Sequence, residues 1–231
     1  MIKSMHFLHN NIDRVYFYEK DHFKITTDNL SLSKFINVKY KDKTLVDFGT
    51  GIGIIPLLLS CSTNLKIFGI EKDKAASDIA TSSVDKNNLD DKIKIINDDI
   101  SNVRKYFDIN SIDIVVCNPP YFNFANEKFI SDSDYLRTAK HDFSLTMNDV
   151  AFYAKIILKD GGILFLVQRV ENLFSISSIL EKNNFVIKKI QFIYDNEFSN
   201  SKLVLIEASK NGKKYGLKVL NPMILRKVSD D

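Results

Sequence analysis

The sequence predicts an α/β protein with a mostly parallel, seven-stranded sheet, an antiparallel last strand and helices on both faces. Three observations predict it. From residue 44 onward, short apolar runs alternate with longer amphipathic ones. A glycine-rich turn joins the first apolar run to the first helical segment. The last two apolar runs have no helical segment between them, and so short a connection cannot make a parallel crossover.

Each element follows in order. Thr44–Phe48 (TLVDF) reads as a buried strand, and Ile54–Ser60 as the helix after the turn. Lys66–Glu71 (KIFGIE) is a strand, Lys74–Asn88 a helix with few breakers, and Lys92–Asn97 (KIKIIN) a strand. Ile112–Cys117 (IDIVVC) is the fourth strand. Residues 121–143 are polar and irregular, too long for a routine connection, which marks a functional loop. Leu145–Leu158 returns to helix, with Asn148 and Asp149 in its first turn. Gly161–Val167 is a strand, Glu171–Lys182 a helix, and Phe185–Tyr194 and Lys202–Ser209 the closing strands. Residues 1–43 stand outside this repeat and read as an N-terminal cap of short elements on a core of 44–231.

The chain has 231 residues, enough for one domain with a sizeable core. No apolar run approaches the roughly 20 residues that a membrane helix needs. The segment MIKSMHFLHNN carries no signal-peptide pattern, so the expected location is the cytoplasm. Cys61 and Cys117 lie in apolar runs without partners at motif spacing, and read as small buried hydrophobes of a reducing compartment. Net charge is +3, unevenly spread. Residues 1–43 carry eight Lys/Arg against five Asp/Glu, and residues 202–231 seven against three, leaving an acidic middle. Basic ends suit a polyanionic partner at the rim, or are simply solvated.

The turn reads Asp47-Phe48-Gly49-Thr50-Gly51-Ile52-Gly53. Glycines there let the backbone turn tightly and approach a ligand with no Cβ in the way. The next strand ends in Glu71, where a carboxylate can accept from ribose hydroxyls at the carboxyl edge of an open sheet. The dinucleotide fingerprint has its third glycine on the helix; here the spacing is G-x-G-x-G with an acid two residues ahead. That arrangement resembles the first motif of class I methyltransferases, which implies a Rossmann-like fold and S-adenosyl-L-methionine as cofactor. The resemblance places Asp47, Gly49, Thr50, Gly51 and Gly53 around the methionine moiety and Glu71 on the ribose. It also gives Asp99 the adenine amino group and Ile100 the adenine face; alternatively Asp99 or Ser101 is a helix N-cap.

The fourth strand ends in Cys117-Asn118-Pro119-Pro120-Tyr121. Prolines fix the backbone and remove donors, leaving carbonyl acceptors, and the Asn side chain adds another. An amine conjugated to a ring is a poor nucleophile because its lone pair is delocalised. Held by the Asn118 oxygen and the Pro119 carbonyl, its nitrogen can pyramidalise and aim that lone pair at a methyl donor. Pro120 stiffens the turn, and Tyr121 can stack on a planar acceptor. No nucleophilic side chain and no metal is needed. Asn-Pro-Pro-Tyr resembles the motif of amino-group methyltransferases acting on adenine, cytosine, guanine or glutamine.

The chain as a whole resembles the tRNA adenine-N6 methyltransferases that modify a valine tRNA next to the anticodon. The resemblance rests on Asn11-Ile12-Asp13, Phe23 to Asp28, GTGIGIIPLLL from Gly49, VVCNPPYF from Val115, Ala139 to Asp142 and GLKVLNPMIL from Gly216. It implies a tRNA substrate, and puts Thr26 and Asp28 near the cofactor and His141 on a substrate-side loop. Lys140 and Asp142 depart from the family's Arg and Glu, and Ile52 stands where Asn is frequent. For Thr27 or Asp28 a helix N-cap is an equal alternative, and for Phe122 and Phe124 core packing. Other acceptors (a protein glutamine, an rRNA guanine, a DNA adenine) or a non-catalytic RNA-binding role on the same fold stay open at this point.

Overall fold

A computed structural model describes residues 2–9, 12–19, 26–36, 43–61, 65–119 and 145–225. The central sheet forms from β3 (Thr44–Phe48), β4 (Lys66–Glu71), β5 (Ile93–Asn97), β6 (Ile112–Cys117), β7 (Leu158–Arg169), β8 (Phe185–Tyr194) and β9 (Leu203–Lys210). These strands lie in the order β5-β4-β3-β6-β7-β9-β8. The pairs β3–β4, β4–β5, β3–β6 and β6–β7 are parallel, while β9 runs antiparallel to both β7 and β8. The expected mostly parallel sheet with an antiparallel last strand is what is seen.

Central parallel strands are covered on both faces, so they need apolar residues at successive positions rather than alternate ones. Leu45, Val46, Val115 and Val116 accordingly have no exposed surface. Burying a side chain of that size contributes about 1.5–3 kcal/mol. One face is covered by α4 (Met147–Ile157), α5 (Leu173–Lys182) and a 3-10 turn, Ile100–Lys105. The other is covered by α1 (Thr27–Phe35), α2 (Ile54–Ser60) and α3 (Lys74–Lys86). All seven residues of α2 are buried, which is why it reads as apolar all round.

Ahead of the sheet, β1 (Ile2–His9) and β2 (Ile12–Glu19) make an antiparallel hairpin. Ser83 of α3 and the C-cap residue Asn87 serve the free edge of β2. Asn87 accepts from the Val15 N–H at 3.0 Å and donates to its carbonyl at 2.7 Å, and Ser83 accepts from the Phe17 N–H at 3.0 Å. Tyr16 is buried between them, and Phe17 and Tyr18 pack partly buried against the same core.

Several expectations are corrected. The described sheet has nine strands rather than seven, because β10 (Lys218–Val219) and β11 (Met223–Ile224) add in parallel to the β8 edge. Two-residue pairings with mostly exposed side chains leave no alternation in the sequence. The helix expected to reach Asn88 stops at Lys86, since Asn88 takes a left-handed φ of 52°. Strand β7 starts at Leu158, three residues early, and its register against β6 shifts between Leu158 and Ile163, the stretch that holds Gly161 and Gly162. The α1 N-cap is Thr26, which accepts from the Asn29 N–H, and not Thr27 or Asp28. No helix among the described residues is long and apolar enough to cross a membrane.

Candidate active site

Strand β3 is flanked in the sheet by β4 and β6, and the chain leaves it in opposite directions on its two sides. That switch in strand order opens a crevice at the carboxyl ends of the strands. Register puts the parts side by side: Phe48 pairs with Ile70 and with Cys117, and Glu71 pairs with Asn97. Gly49–Gly53, Glu71, the Asp98–Asp99 turn and Asn118 therefore emerge at one end from adjacent strands.

The glycine turn takes the shape only glycine tolerates cheaply. Gly49, Gly51 and Gly53 have φ of 66°, 58° and 81°. A Cβ at Gly49 or Gly51 would meet no atom within 4 Å, so the turn offers bare backbone to open space. Underneath lies Thr50, whose hydroxyl donates to Asp47 Oδ2 at 2.7 Å and whose N–H donates to the Ile70 carbonyl. Gly69 of β4 makes room for it: a Cβ there would sit 2.7 Å from Thr50 Cγ2. Gly69 carried no signal in the sequence beyond being a glycine inside a strand, the usual mark of close approach.

Asp47 is 1% exposed, beneath the turn rather than in the open crevice. Its Oδ1 has no hydrogen-bond partner among the described residues. Burial pushes the carboxyl up to about 7; the Thr50 hydrogen bond opposes this and nearby Glu71 adds to it. Glu71 is half-buried and ties the site together. Its Oε2 accepts from the Gly51 N–H and its Oε1 from the Asp73 N–H, both at 2.8 Å. Each oxygen keeps a second lone pair for another donor.

Asp99 caps the 3-10 turn, accepting from the Ser101 N–H at 2.9 Å, and its other oxygen pairs with Lys72 at 3.1 Å. Burial raises its pKa, but the Ser101 and Lys72 interactions outweigh that and hold it below the ordinary carboxylate value. The N-cap alternative is thus realised, and any further donor would share Asp99 with Lys72. Ile100 is 6% exposed and packs in the core with Val103, which leaves little of it to present to a ring. Asp98 is engaged by Asn102 and Tyr106 at 2.7 Å each.

Asn118 follows β6 and is half-buried, and Pro119 is buried. The Asn118 amide donates from Nδ2 to Asn29 Oδ1 at 2.5 Å, a contact the sequence did not suggest. Asp28, one residue earlier, is half-buried in the first turn of α1, its Oδ1 accepting from the Thr27 hydroxyl at 3.3 Å. Pro120, Tyr121, Phe122, Phe124 and His141 lie outside the described residues. Gln168, buried at the carboxyl end of β7, has neither amide atom bonded among the described residues. Cys117 is buried and its thiol pushed well up by burial, so it is no nucleophile. Among the described residues no cluster of three metal-capable side chains occurs. A cleft of about 580 Å³ lined by Ser177, Glu181, Phe185 and Asn211 lies where β8 begins, at the other end of the sheet.

The arrangement can hold a nucleoside bearing a cationic amino-acid arm. It provides bare backbone at the glycine turn, spare lone pairs on Glu71, and an orphaned carboxylate oxygen on Asp47 that suits an ammonium.

Comparison with known proteins bears on the family and the fold. Residues 20–192 match the family model described as methyltransferase small domain. A Cytophaga hutchinsonii protein named tRNA1(Val) (adenine(37)-N6)-methyltransferase is 25% identical over 81% of this chain and 77% of its own length. One of the same name from Trichodesmium erythraeum is 31% identical over 64% of this chain and 61% of its own length. Among solved structures, one described as a predicted O-methyltransferase from Agrobacterium tumefaciens superposes with a TM-score of 0.69 at 17% identity, covering 88% of this chain and 90% of that one. A T. thermophilus 16S rRNA N2 methyltransferase in complex with AdoMet and guanosine does so with 0.63 at 17% identity, covering 90% of this chain and 50% of that one. These two likenesses concern the fold. The match over residues 20–192 settles the family: the chain belongs to the methyltransferase small domain proteins.

Proposed function

We propose that this protein methylates the exocyclic N6 amine of an adenine in tRNA, with S-adenosyl-L-methionine as methyl donor. The observation that carries it is the half-buried Asn118, followed by buried Pro119, at the end of the strand beside the glycine turn. The relatives' names supply the acceptor, the N6 of adenine 37 in a valine tRNA.

The donor, when bound, supplies an electrophilic methyl on a sulfonium. Gly49, Gly51 and Gly53 would follow its methionine arm, with Asp47 meeting the ammonium from below and Thr50 holding Asp47. Glu71 would take the ribose hydroxyls, while Asp99, Ile100 and Asp28 would border the nucleoside. Asn118 Oδ1 and the Pro119 carbonyl would hold the two amine hydrogens. They stabilise the charge that develops on nitrogen as its lone pair leaves conjugation. Pro120 and Tyr121 complete the motif, with Tyr121 stacking on the base. Alignment of nucleophile and methyl carries much of the rate. Exposed Lys213, Lys214 and Lys218 near the β8 edge add to a basic rim for RNA. The protein works in the cytoplasm, where its tRNA is.

The test is nucleoside analysis. Unmodified bulk tRNA is incubated with protein and donor, digested, and examined for N6-methyladenosine by mass spectrometry. Its appearance, and its loss in Asn118→Ala with donor affinity within twofold of wild type, is the expected result. Donor binding without N6-methyladenosine would refute the acceptor. Substantial activity in Asn118→Ala would refute the mechanism.

A further inference from the structure

We propose that Asn29 is a positioning residue that fixes which way the Asn118 amide faces. This rests on the amine-methylating reading above. The two ends of an Asn amide are nearly identical in shape, yet only one serves this chemistry. Turned one way, Asn118 offers Oδ1 to the acceptor amine. Turned the other, it offers N–H against N–H and repels it. Something must choose.

The structure places an acceptor where the choice is made. Asn29 Oδ1 takes the Asn118 Nδ2 hydrogen at 2.5 Å, across 89 positions of sequence. With Nδ2 engaged there, Oδ1 of Asn118 is turned away from Asn29 and left for a substrate. Asn29 is well placed to impose this. It is the third residue after the Thr26 N-cap, and its N–H donates to Thr26 Oγ1 at 3.4 Å. Its carbonyl accepts from Ser33 Oγ at 2.7 Å. Helix α1 itself is seated by Leu32, Phe35 and Ile36, all buried, and Phe35 stands edge-on to Phe165 of β7 at 5.9 Å between centroids. The helix is thus braced against the sheet whose next strand, β6, delivers Asn118.

Asn29 touches Asn118, not the reacting atoms, so its effect must pass through Asn118. A reversed pair, with Asn29 donating to Asn118 Oδ1, would look the same in outline. Substitution separates the two. In Asn29→Asp the side chain can only accept, and an acid in the first helical turn is favourable, so the helix is kept. In Asn29→Ala the acceptor is gone.

The experiment measures methyl transfer to tRNA, donor affinity, and the Asn118 side-chain ¹⁵N–H₂ resonances, assigned by their loss in Asn118→Ala. Asn29→Ala is expected to lower kcat about 10- to 100-fold, the range found when partners that orient a metal ligand are removed. KM for tRNA, donor affinity and Tm should stay near wild type. Asn29→Asp should restore kcat to within about threefold of wild type, since the acceptor-only side chain keeps the orienting bond. One Asn118 amide proton should be shifted downfield in wild type and Asn29→Asp and not in Asn29→Ala. Unchanged kcat in Asn29→Ala, or a loss in Asn29→Asp as deep as in Asn29→Ala, overturns the proposal. If wild type makes no N6-methyladenosine, the acceptor reading fails by itself. The amide shift then decides the role of Asn29 without any turnover: present, the orientation stands; absent, it falls.

Discussion

Asp47→Asn tests the least usual feature of the site, a carboxyl sealed under the glycine turn. In the unfolded chain this group titrates near 3.8, and in the fold near 7. The gap is about three units, and each unit is worth about 1.4 kcal/mol, so the ceiling is about 4 kcal/mol. The sign follows from which state holds the proton. Below pH 4 both states are protonated. From pH 4 to 7 the unfolded chain loses the proton and the folded chain keeps it, so stability falls as pH rises. Above 7 both are ionised and this contribution is flat. The Asp47→Asn side chain is neutral throughout. It can still accept from Thr50, but it puts an unpaired N–H where Oδ1 stood, costing about 1–3 kcal/mol. Urea unfolding of both proteins, without donor, should therefore show wild type losing about 3 kcal/mol relative to the variant between pH 5 and pH 8. A wild-type-minus-variant difference that stays constant over that range would mean that Asp47 titrates normally, and the reasoning fails. Donor binding supplies a second reading. On the proposed cofactor reading, Asp47 would meet the ammonium in its ionised form only above pH 7, so wild-type affinity should rise from pH 6 to pH 8. In Asp47→Asn it should be weaker and flat; equal affinity and equal slope in the two proteins would remove Asp47 from the cofactor site.

Other perturbations separate the parts of the crevice. Glu71→Ala frees the N–H of Gly51 as well as removing the proposed ribose acceptor, so donor affinity, read by calorimetry, should fall at least tenfold, about 1.4 kcal/mol; unchanged affinity would leave Glu71 structural only. Gly69→Ala drives a Cβ into Thr50, and a stiff β-branched side chain cannot swing away. A stability loss of about 1–3 kcal/mol with weaker donor binding is expected, and a fully stable variant with normal affinity would show that the turn has slack. Asn87→Ala leaves both backbone groups of Val15 without their side-chain partner. Urea unfolding should register a loss of about 1–3 kcal/mol, with donor affinity unchanged, and no loss would mean that these two bonds contribute nothing to stability.

The strands at the centre of the sheet were legible because burial on both faces writes itself as continuous apolar runs. The bounds of Thr44–Phe48, Lys66–Glu71 and Ile112–Cys117 match for that reason. Helix ends were less legible, because Asn88 stops α3 by adopting a left-handed conformation that neither composition nor period announces. The hairpin at the N-terminus was missed as a hairpin. Its β2 edge is satisfied by Asn87 and Ser83 from a helix some 70 positions later, a partnership with no local signature. The edge strands β10 and β11 were missed because a two-residue pairing needs no pattern at all.

For the site, the residues that read clearly were those whose type is dictated by backbone: glycines at positive φ, and a proline after Asn118. The residues that read poorly act through a partner. Asp47 was legible as an acid before the turn, but not as a buried one, since that depends on Thr50 folding back onto it in the room that Gly69 leaves. Asp99 offered two roles in the sequence, and the structure shows the capping one because Ser101 lies within reach of its oxygen. Asn29 gave no sign, standing beside a more conspicuous Asp28. Only the sheet order, which brings β6 and the start of α1 to one crevice, turns it from a helix residue into a neighbour of Asn118. Spacing along a chain reports what backbone geometry requires of each position. It is silent on pairs that topology creates, and the contact of Asn118 with Asn29 is such a pair.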